Sequence, residues 1–470
     1  MNMIPKELFQ TRRSLLKKCG MGFGGLIANS MLMNHSASSP FASKPALKTV
    51  KAKRVIHFFM NGGPSQVDTF DPKPLLDQYD GKMLPNLLKT ERPTGAAMKS
   101  PFKFKKYGQC GLEVSELFAK TAQHADDLCL IRSMTTDVPN HEPSFLMMNT
   151  GDARLSRPSL GSWLTYGLGT ENQNLPAYIS MSPDGFPTIG KKNWQAAFLP
   201  SYYQGTFIST GETEINKLIK NIKNSQLNQK QQRAQIDLLY QLNQEHLQQK
   251  EMDTQLEARM ENFELAYRMQ MEATDAFDIS LESESTRLAY GDNPYGKQAL
   301  IARRLLERGV RFIQLWTEKG QPWDNHDDIM MHQKLARPAD QAIAAFIYDI
   351  KQRGLFDETL MIWGGEFGRT PAVELPSAGV NLAKMRGRDH NHWGFSMWLA
   401  GGGVKGGQVI GSTDEFGFAA TEDPYHVHDL HATILELMGF DHTALTYKYA
   451  GLDFKLTGVN PAKVIKSTFT

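Results

Sequence analysis

The sequence predicts an α/β protein whose mainly parallel sheet is covered by helices on both faces. Three observations carry this. Apolar strand-like runs alternate with helical patterns along most of the chain. The first such run, residues 54–60, ends in Asn61-Gly62-Gly63-Pro64-Ser65-Gln66-Val67-Asp68, a Gly-rich polar loop of the kind that binds ligands beyond strand ends. A later β-prone run, 359–363, stops at Gly364 and Gly365 and at once presents Glu366 and then Arg369.

Taken in order, a Lys-rich linker (44–53) precedes the first strand. A helix over 114–124 and a buried strand over 128–134 follow. Pro139-Asn140-His141-Glu142-Pro143-Ser144 then opens a helix through 145–149, and 176–181 reads as a further strand. Between 212 and 290 there is no Gly or Pro and Gln is abundant. Leu256, Met260, Phe263 and Tyr267 recur at helical spacing there, as do Ile236, Leu239 and Leu242, so a helical hairpin is expected to be inserted into the α/β domain as a lid or an oligomer contact. The alternation resumes with a helix over 298–308 ended by Gly309 and a strand over 310–316. Then come the loop Pro322-Trp323-Asp324-Asn325-His326-Asp327-Asp328, a helix over 339–353 and the 359–363 strand. Gly387-Arg388-Asp389-His390-Asn391-His392, a strand over 395–400, a Gly-rich turn (401–407) and a last helix starting near Asp429 complete the chain.

The chain of 470 residues is long enough for one large domain or two, and its 41% hydrophobic and 22% charged residues are ordinary for a globular protein. Residues 1–43 read as an export signal and linker, and 44–470 as one domain. Thr11-Arg12-Arg13-Ser14-Leu15-Leu16-Lys17 fits the twin-arginine pattern, so the expected partner is the twin-arginine translocon and the expected location is the periplasm or outside the cell. The apolar run behind it is shorter than the ~20 residues that cross a bilayer, and the processed chain is not expected to be an integral membrane protein. Cleavage after Ala37 removes five basic residues and one acid, taking the formal charge from +2 to −2, which gives no electrostatic footprint for nucleic acid. Cys110 and Cys129 remain, as a disulfide or as two thiols; two cysteines exclude a Cys-rich zinc cluster.

Three loops carry metal-ligand chemistry: Asp324 with His326, Glu366, and Asp389 with His390 and His392. Carboxylate plus imidazole is the set favoured by zinc and other first-row divalent ions. The i, i+2 spacing of Asp324 and His326 puts both side chains on one side of an extended segment. Arg369 offers a bidentate clamp for an anion, or a partner for Glu366. Ser65 could donate to a substrate oxygen, or shape the turn.

The motifs Asn61 to Lys73, Ile131-Arg132-Ser133-Met134, Trp323-Asp324-Asn325-His326, Gly365-Glu366-Phe367-Gly368-Arg369-Thr370-Pro371 and Gly387-Arg388-Asp389-His390 resemble, in order, those of the exported bacterial proteins called domain-of-unknown-function family 1501. That family resembles the alkaline phosphatase and sulfatase superfamily, which implies an α/β/α sandwich with one or two divalent ions at the strand ends. Carried over by position, the resemblance makes Asp324, His326 and His390 the ligands of one ion. It places Asn61 and Glu366-Phe367 where the second ion would have an Asp and an Asp-His pair, with Asp68 as a substitute. One ion is therefore expected, with zinc, calcium and manganese all open. His141 falls where formylglycine sulfatases carry their nucleophile and Phe145 where they carry an activating Arg, so that chemistry is excluded. His141 is left as nucleophile, general base or further ligand, with Ser144 as a lesser nucleophile. The expected function is a metal-dependent hydrolase of phosphate or sulfate esters, in a small molecule or a polysaccharide. The alternative is a non-catalytic binding or scaffold protein with a degenerate site.

Overall fold

The computed structural model describes residues 42–46, 48–211, 227–249, 254–376 and 386–469. The expected export signal lies outside them, as does 212–226, the start of the expected helical insertion. Within them no helix is long and apolar enough to cross a membrane.

A nine-stranded sheet runs Gln408–Ile410, Leu128–Thr135, Phe395–Ala400, Thr359–Gly364, Arg54–Phe59, Phe312–Trp316, Tyr178–Ser182, Thr206–Ser209, with Tyr425–His426 also beside Leu128–Thr135. All these pairs are parallel except the two made by Phe395–Ala400, which runs against both neighbours. The strands are apolar at nearly every position because both faces are covered. Along the first strand, Ile56 and Phe58 join the helices Pro294–Glu307 and Met331–Gln352 in one core, while Val55 and Phe59 join His141–Thr150, Leu160–Leu168 and Val427–Leu437 in the other. The period of two along the strand divides the core into its two layers.

A second, three-stranded antiparallel sheet, Arg388–Asn391, Gly368–Glu374, Thr94–Ala97, stands at the carboxyl end of Thr359–Gly364. The sequence reading missed this sheet, and it builds much of the site.

Several local expectations are corrected. The helix expected over 114–124 is instead a strand, Leu112–Ser115, hairpin-paired with Phe104–Tyr107, then two 3₁₀ turns, the second broken at His124. The last helix begins at Val427; the Asp429 carboxylate accepts from the His426 N–H at 2.8 Å, closing a capping box. The helices Gln229–Gln249 and Thr254–Phe277 do pack together, tied by Arg233 to Glu264 and Tyr240 to Glu261. Their apolar stripes are only half used: Ile236 and Met260 are buried, whereas Leu242 and Phe263 are exposed, and the Leu256 side chain lies outside the described residues. Cys110 is exposed and Cys129 buried, and both are free thiols; burial pushes the Cys129 thiol up to about 12.

Candidate metal centre

Four side chains converge where the central strands end. Asp324 and His326 lie on the loop after Phe312–Trp316, His141 opens the helix after Leu128–Thr135, and His390 sits in the strand Arg388–Asn391. Their ligand atoms all lie within 4.8 Å of one another. Asp324 Oδ1 is the hub, 2.7 Å from His326 Nε2, 3.0 Å from His390 Nε2 and 3.1 Å from His141 Nε2. Two glycines permit the approach. Gly62 has φ of +113°, and a Cβ there would come within 2.6 Å of the Asp324 backbone nitrogen. At Gly387 a Cβ would collide with the His326 carbonyl.

Each histidine is held from behind by a carboxylate. His141 Nδ1 lies 2.7 Å from Glu366 Oε1, His326 Nδ1 is bonded to Glu374, and His390 Nδ1 to Glu91. An ionised carboxylate only accepts, so each Nδ1 carries the proton and each Nε2 turns a lone pair toward Asp324. This is how metal-ligating histidines are oriented. His141 Nε2 is buried and makes no well-directed hydrogen bond, close as it is to Asp324. Three imidazole nitrogens and one carboxylate oxygen facing a common point fit a divalent ion.

Burial opposes ionisation of Asp324, but the Arg369 guanidinium and then the three imidazoles beside its oxygen outweigh it and hold the carboxyl far below the usual range. Burial likewise works against charging His141 and His326. Their carboxylate partners, Asp324 with Glu366 and Asp324 with Glu374, reverse it and raise both.

The remaining expected residues take other roles. Glu366 accepts from the Gly62 N–H (3.0 and 3.2 Å) and from His141, so it orients a ring rather than joining the four-atom group. Arg369 does not pair with Glu366 and is not free to clamp an anion. It is fully buried and donates to the carbonyls of Gly63, Arg388 and Gly62 and to Asp324 Oδ1, which uses four of its five N–H donors. Asn61 is withdrawn as a ligand: its amide donates to the Glu318 and Gly320 carbonyls and its oxygen accepts from the Thr317 N–H. Asp68 is withdrawn too, because Arg388 grips both its oxygens at 2.7 and 3.2 Å. The Ser65 hydroxyl is fully buried and donates to Asp68, so it cannot serve a substrate. Ser144 donates to the Val138 carbonyl at 2.7 Å. Phe367 is buried, with its ring 4.9 Å from that of His141 and 4.6 Å from that of His390. Asp389 lies behind the histidines, where it accepts from the Arg92 N–H at 2.7 Å.

Sequence reasoning missed Glu91 and Glu374. Neither sits in a motif with ligand spacing; the pairing of the small sheet brings Glu374 to the site, and Glu91 comes from the irregular stretch that leads into that sheet.

No curated protein matches the chain. Among the many solved structures to which the chain is similar, three serve as examples. They are PsFucS1 sulfatase from Pseudoalteromonas sp. (12% identity, 83% of this chain, 68% of that chain, TM-score 0.33), a protein in the alkaline phosphatase superfamily from Vibrio parahaemolyticus (12%, 86%, 71%, 0.34) and the phosphonate monoester hydrolase SpPMH from Silicibacter pomeroyi (11%, 75%, 71%, 0.34). The family described as "Protein of unknown function (DUF1501)" matches residues 52–469, nearly all of the described chain, and the protein belongs to that family.

Proposed function

We propose that this protein is an exported, metal-dependent hydrolase of phosphate or sulfate esters, in a small molecule or a polysaccharide. The observation that carries this is the convergence of His326 Nε2 and His390 Nε2 on Asp324, each ring fixed through Nδ1 by its own glutamate. Asp324, His326 and His390 would hold the ion. The two imidazoles favour zinc or another first-row ion over calcium, which prefers all-oxygen sites. Such an ion supplies Lewis-acid polarisation of an ester oxygen. The protein's own part is proton handling and order. His141, oriented by Glu366 through Nδ1, presents an unbonded Nε2 that can accept a proton, the base-and-orienter pairing of hydrolytic sites. Arg369 keeps Asp324 ionised and fixes its loop against Gly62 and Gly63.

A second reading rests on one specific observation: with His141 as fourth ligand the protein supplies a complete tetrahedral set, as in structural sites. The protein would then be a metal-bearing scaffold. Metal content and turnover of phosphate and sulfate esters, measured on wild type and His141→Ala, separate the two. An enzyme keeps its metal in the variant and loses turnover. A scaffold shows no turnover in wild type and loses metal affinity in the variant. Sub-stoichiometric metal in reconstituted wild type, or unchanged binding in His326→Ala and His390→Ala, would sink both.

A further inference from the structure

Two of the three glutamates behind the histidines occupy rigid positions. Glu366 lies on the short turn between the strands Thr359–Gly364 and Gly368–Glu374, Glu374 closes the second of them, and both are fully buried. Glu91 is placed differently. It lies on a stretch, 80–93, that contains neither helix nor strand and joins the helix Pro74–Tyr79 to the edge strand Thr94–Ala97. Its side chain is 26% exposed.

A few contacts hold this stretch on the site. Leu84 is buried and Leu88 half-buried in a small cluster with Val67, Leu76 and Phe418, which anchors the near end. The Trp393 indole N–H then donates to the Lys89 carbonyl at 3.2 Å, the Arg92 N–H donates to Asp389 Oδ2 at 2.7 Å, and Glu91 meets His390 Nδ1. With its amide nitrogen turned inward, Asn140 donates to both Glu91 oxygens at 2.7 and 3.2 Å. Trp393 itself is 43% exposed, three residues beyond His390. Its indole therefore sits outside the core, and its one directed bond goes to the segment that carries Glu91.

We infer that 89–92 is a strap that positions His390 through Glu91, and that Trp393 is its latch. The inference rests on the metal reading above and adds control over how the ion is kept. His141, His326 and His390 are each at most 7% exposed, so an ion among them would be largely enclosed, with Asp324, its side chain 15% exposed, on the more open side. Of the three glutamate-bearing segments the strap belongs to the longest stretch without helix or strand, whereas Glu366 lies on the short turn between two strands and Glu374 ends one. When the strap lifts, Nδ1 of His390 loses its acceptor, the ring is free to turn, and the Nε2 lone pair no longer faces Asp324. Glu91 and Trp393 are thus positioning residues, one acting on a ligand and the other on the strap.

The test uses the full processed chain loaded with zinc, with release to excess chelator followed in time, and the visible spectrum of the cobalt-substituted protein. Trp393→Phe keeps the ring and removes the N–H; it is expected to speed zinc release about tenfold, with the cobalt spectrum and metal-free melting temperature unchanged. Glu91→Ala is expected to weaken zinc binding roughly 10- to 100-fold and to alter the cobalt spectrum, the range seen when the partners of metal-ligating histidines are removed. Glu91→Gln, whose amide oxygen still accepts from Nδ1, should restore most of the loss. Wild-type release rates in both Trp393→Phe and Glu91→Ala, with one ion bound per chain, would overturn the strap and leave the metal reading standing. A wild-type protein that binds no ion would overturn both. Should Glu91→Ala fail to fold, Trp393→Phe decides alone, because it leaves the buried core untouched.

Discussion

Arg369 Nη2 donates to Asp324 Oδ1 across 2.7 Å, in a pair whose guanidinium is fully buried and whose carboxylate is mostly so. The same side chain bonds the Gly62, Gly63 and Arg388 carbonyls, so it joins the first loop, the Asp324 loop and the small sheet. Removing one partner of a buried pair leaves a charge without compensation, which typically costs about 3–5 kcal/mol. Arg369→Met is therefore expected to lower the unfolding free energy of the metal-free protein by an amount of that order. Arg369→Lys should recover little, because one ammonium cannot reach four acceptors spread over a planar fork. Urea unfolding of both variants checks this; near-wild-type stability in Arg369→Lys would show that only the charge matters.

Gly62 is a second joint between the same loops. Its φ of +113° disfavours any side chain, and a Cβ would press on the backbone of Trp323 and Asp324 at 2.6–2.7 Å. Gly62→Ala is expected to destabilise by more than ~1 kcal/mol, since the backbone conformation is also incompatible. It should also displace Asp324 and weaken metal binding. Parallel unfolding and metal titration would show it; a loss of stability with intact metal affinity would mean that the Asp324 loop moves independently of Gly62.

Buried neutral histidines set a pH dependence distinct from that of the candidate metal centre. Burial lowers His57, in the middle of the first strand, to about 3, with a smaller push from His431, which is itself lowered to about 3 by burial. In the unfolded chain such groups titrate near 6.5. Between pH 6.5 and 3 the unfolded state therefore binds protons that the folded state refuses, and stability falls as pH falls through that window. Each such histidine adds a slope of up to roughly 1.4 kcal/mol per pH unit. His57→Leu should flatten the stability-versus-pH curve below 6.5 by up to one proton's worth. Urea midpoints at pH 7 and pH 5 measure it, and parallel curves for wild type and variant would refute it.

What could be read from the sequence is what leaves a local trace. The strand before Gly62 is a continuous apolar run closed by glycine, and Asp324 and His326 announce themselves by residue type and spacing in a strand-end loop. Glu374 and Glu91 leave no such trace. Glu374 reaches His326 because Gly368–Glu374 pairs with Arg388–Asn391, a non-local choice of partner, and Glu91 reaches His390 from a stretch without periodicity. Asn61, Asp68, Ser65 and Arg369 take roles other than those expected for one physical reason. Position in a loop says that a polar side chain is near a site, but not that its hydrogen-bonding capacity is already spent on backbone groups and on Arg388. The 114–124 stretch was misread because Val114 and its neighbours pair with Phe104–Tyr107, and helical spacing alone carries no information about that competitor.

Phe367 supplies the sharpest test of how many ions the site holds. Its ring packs against those of His141 and His390 and lies close to Gly63, where even a Cβ would come within 2.7 Å of it. Phe367→His puts a further imidazole beside those of His141 and His390. It is not expected to create a second site. Asn61, the neighbour that would have to join it, has both ends of its amide committed to the Thr317, Glu318 and Gly320 backbone, and Glu366 is held by Gly62 and His141. The new imidazole would instead be a buried polar group without a partner, a cost of about 1–3 kcal/mol on top of the lost ring packing. The variant should therefore bind one ion per chain, as expected for wild type, and unfold at lower denaturant. Metal stoichiometry by elemental analysis decides it: two ions per chain in Phe367→His would show that this one side chain, rather than the committed amide of Asn61, keeps the second half of the site closed.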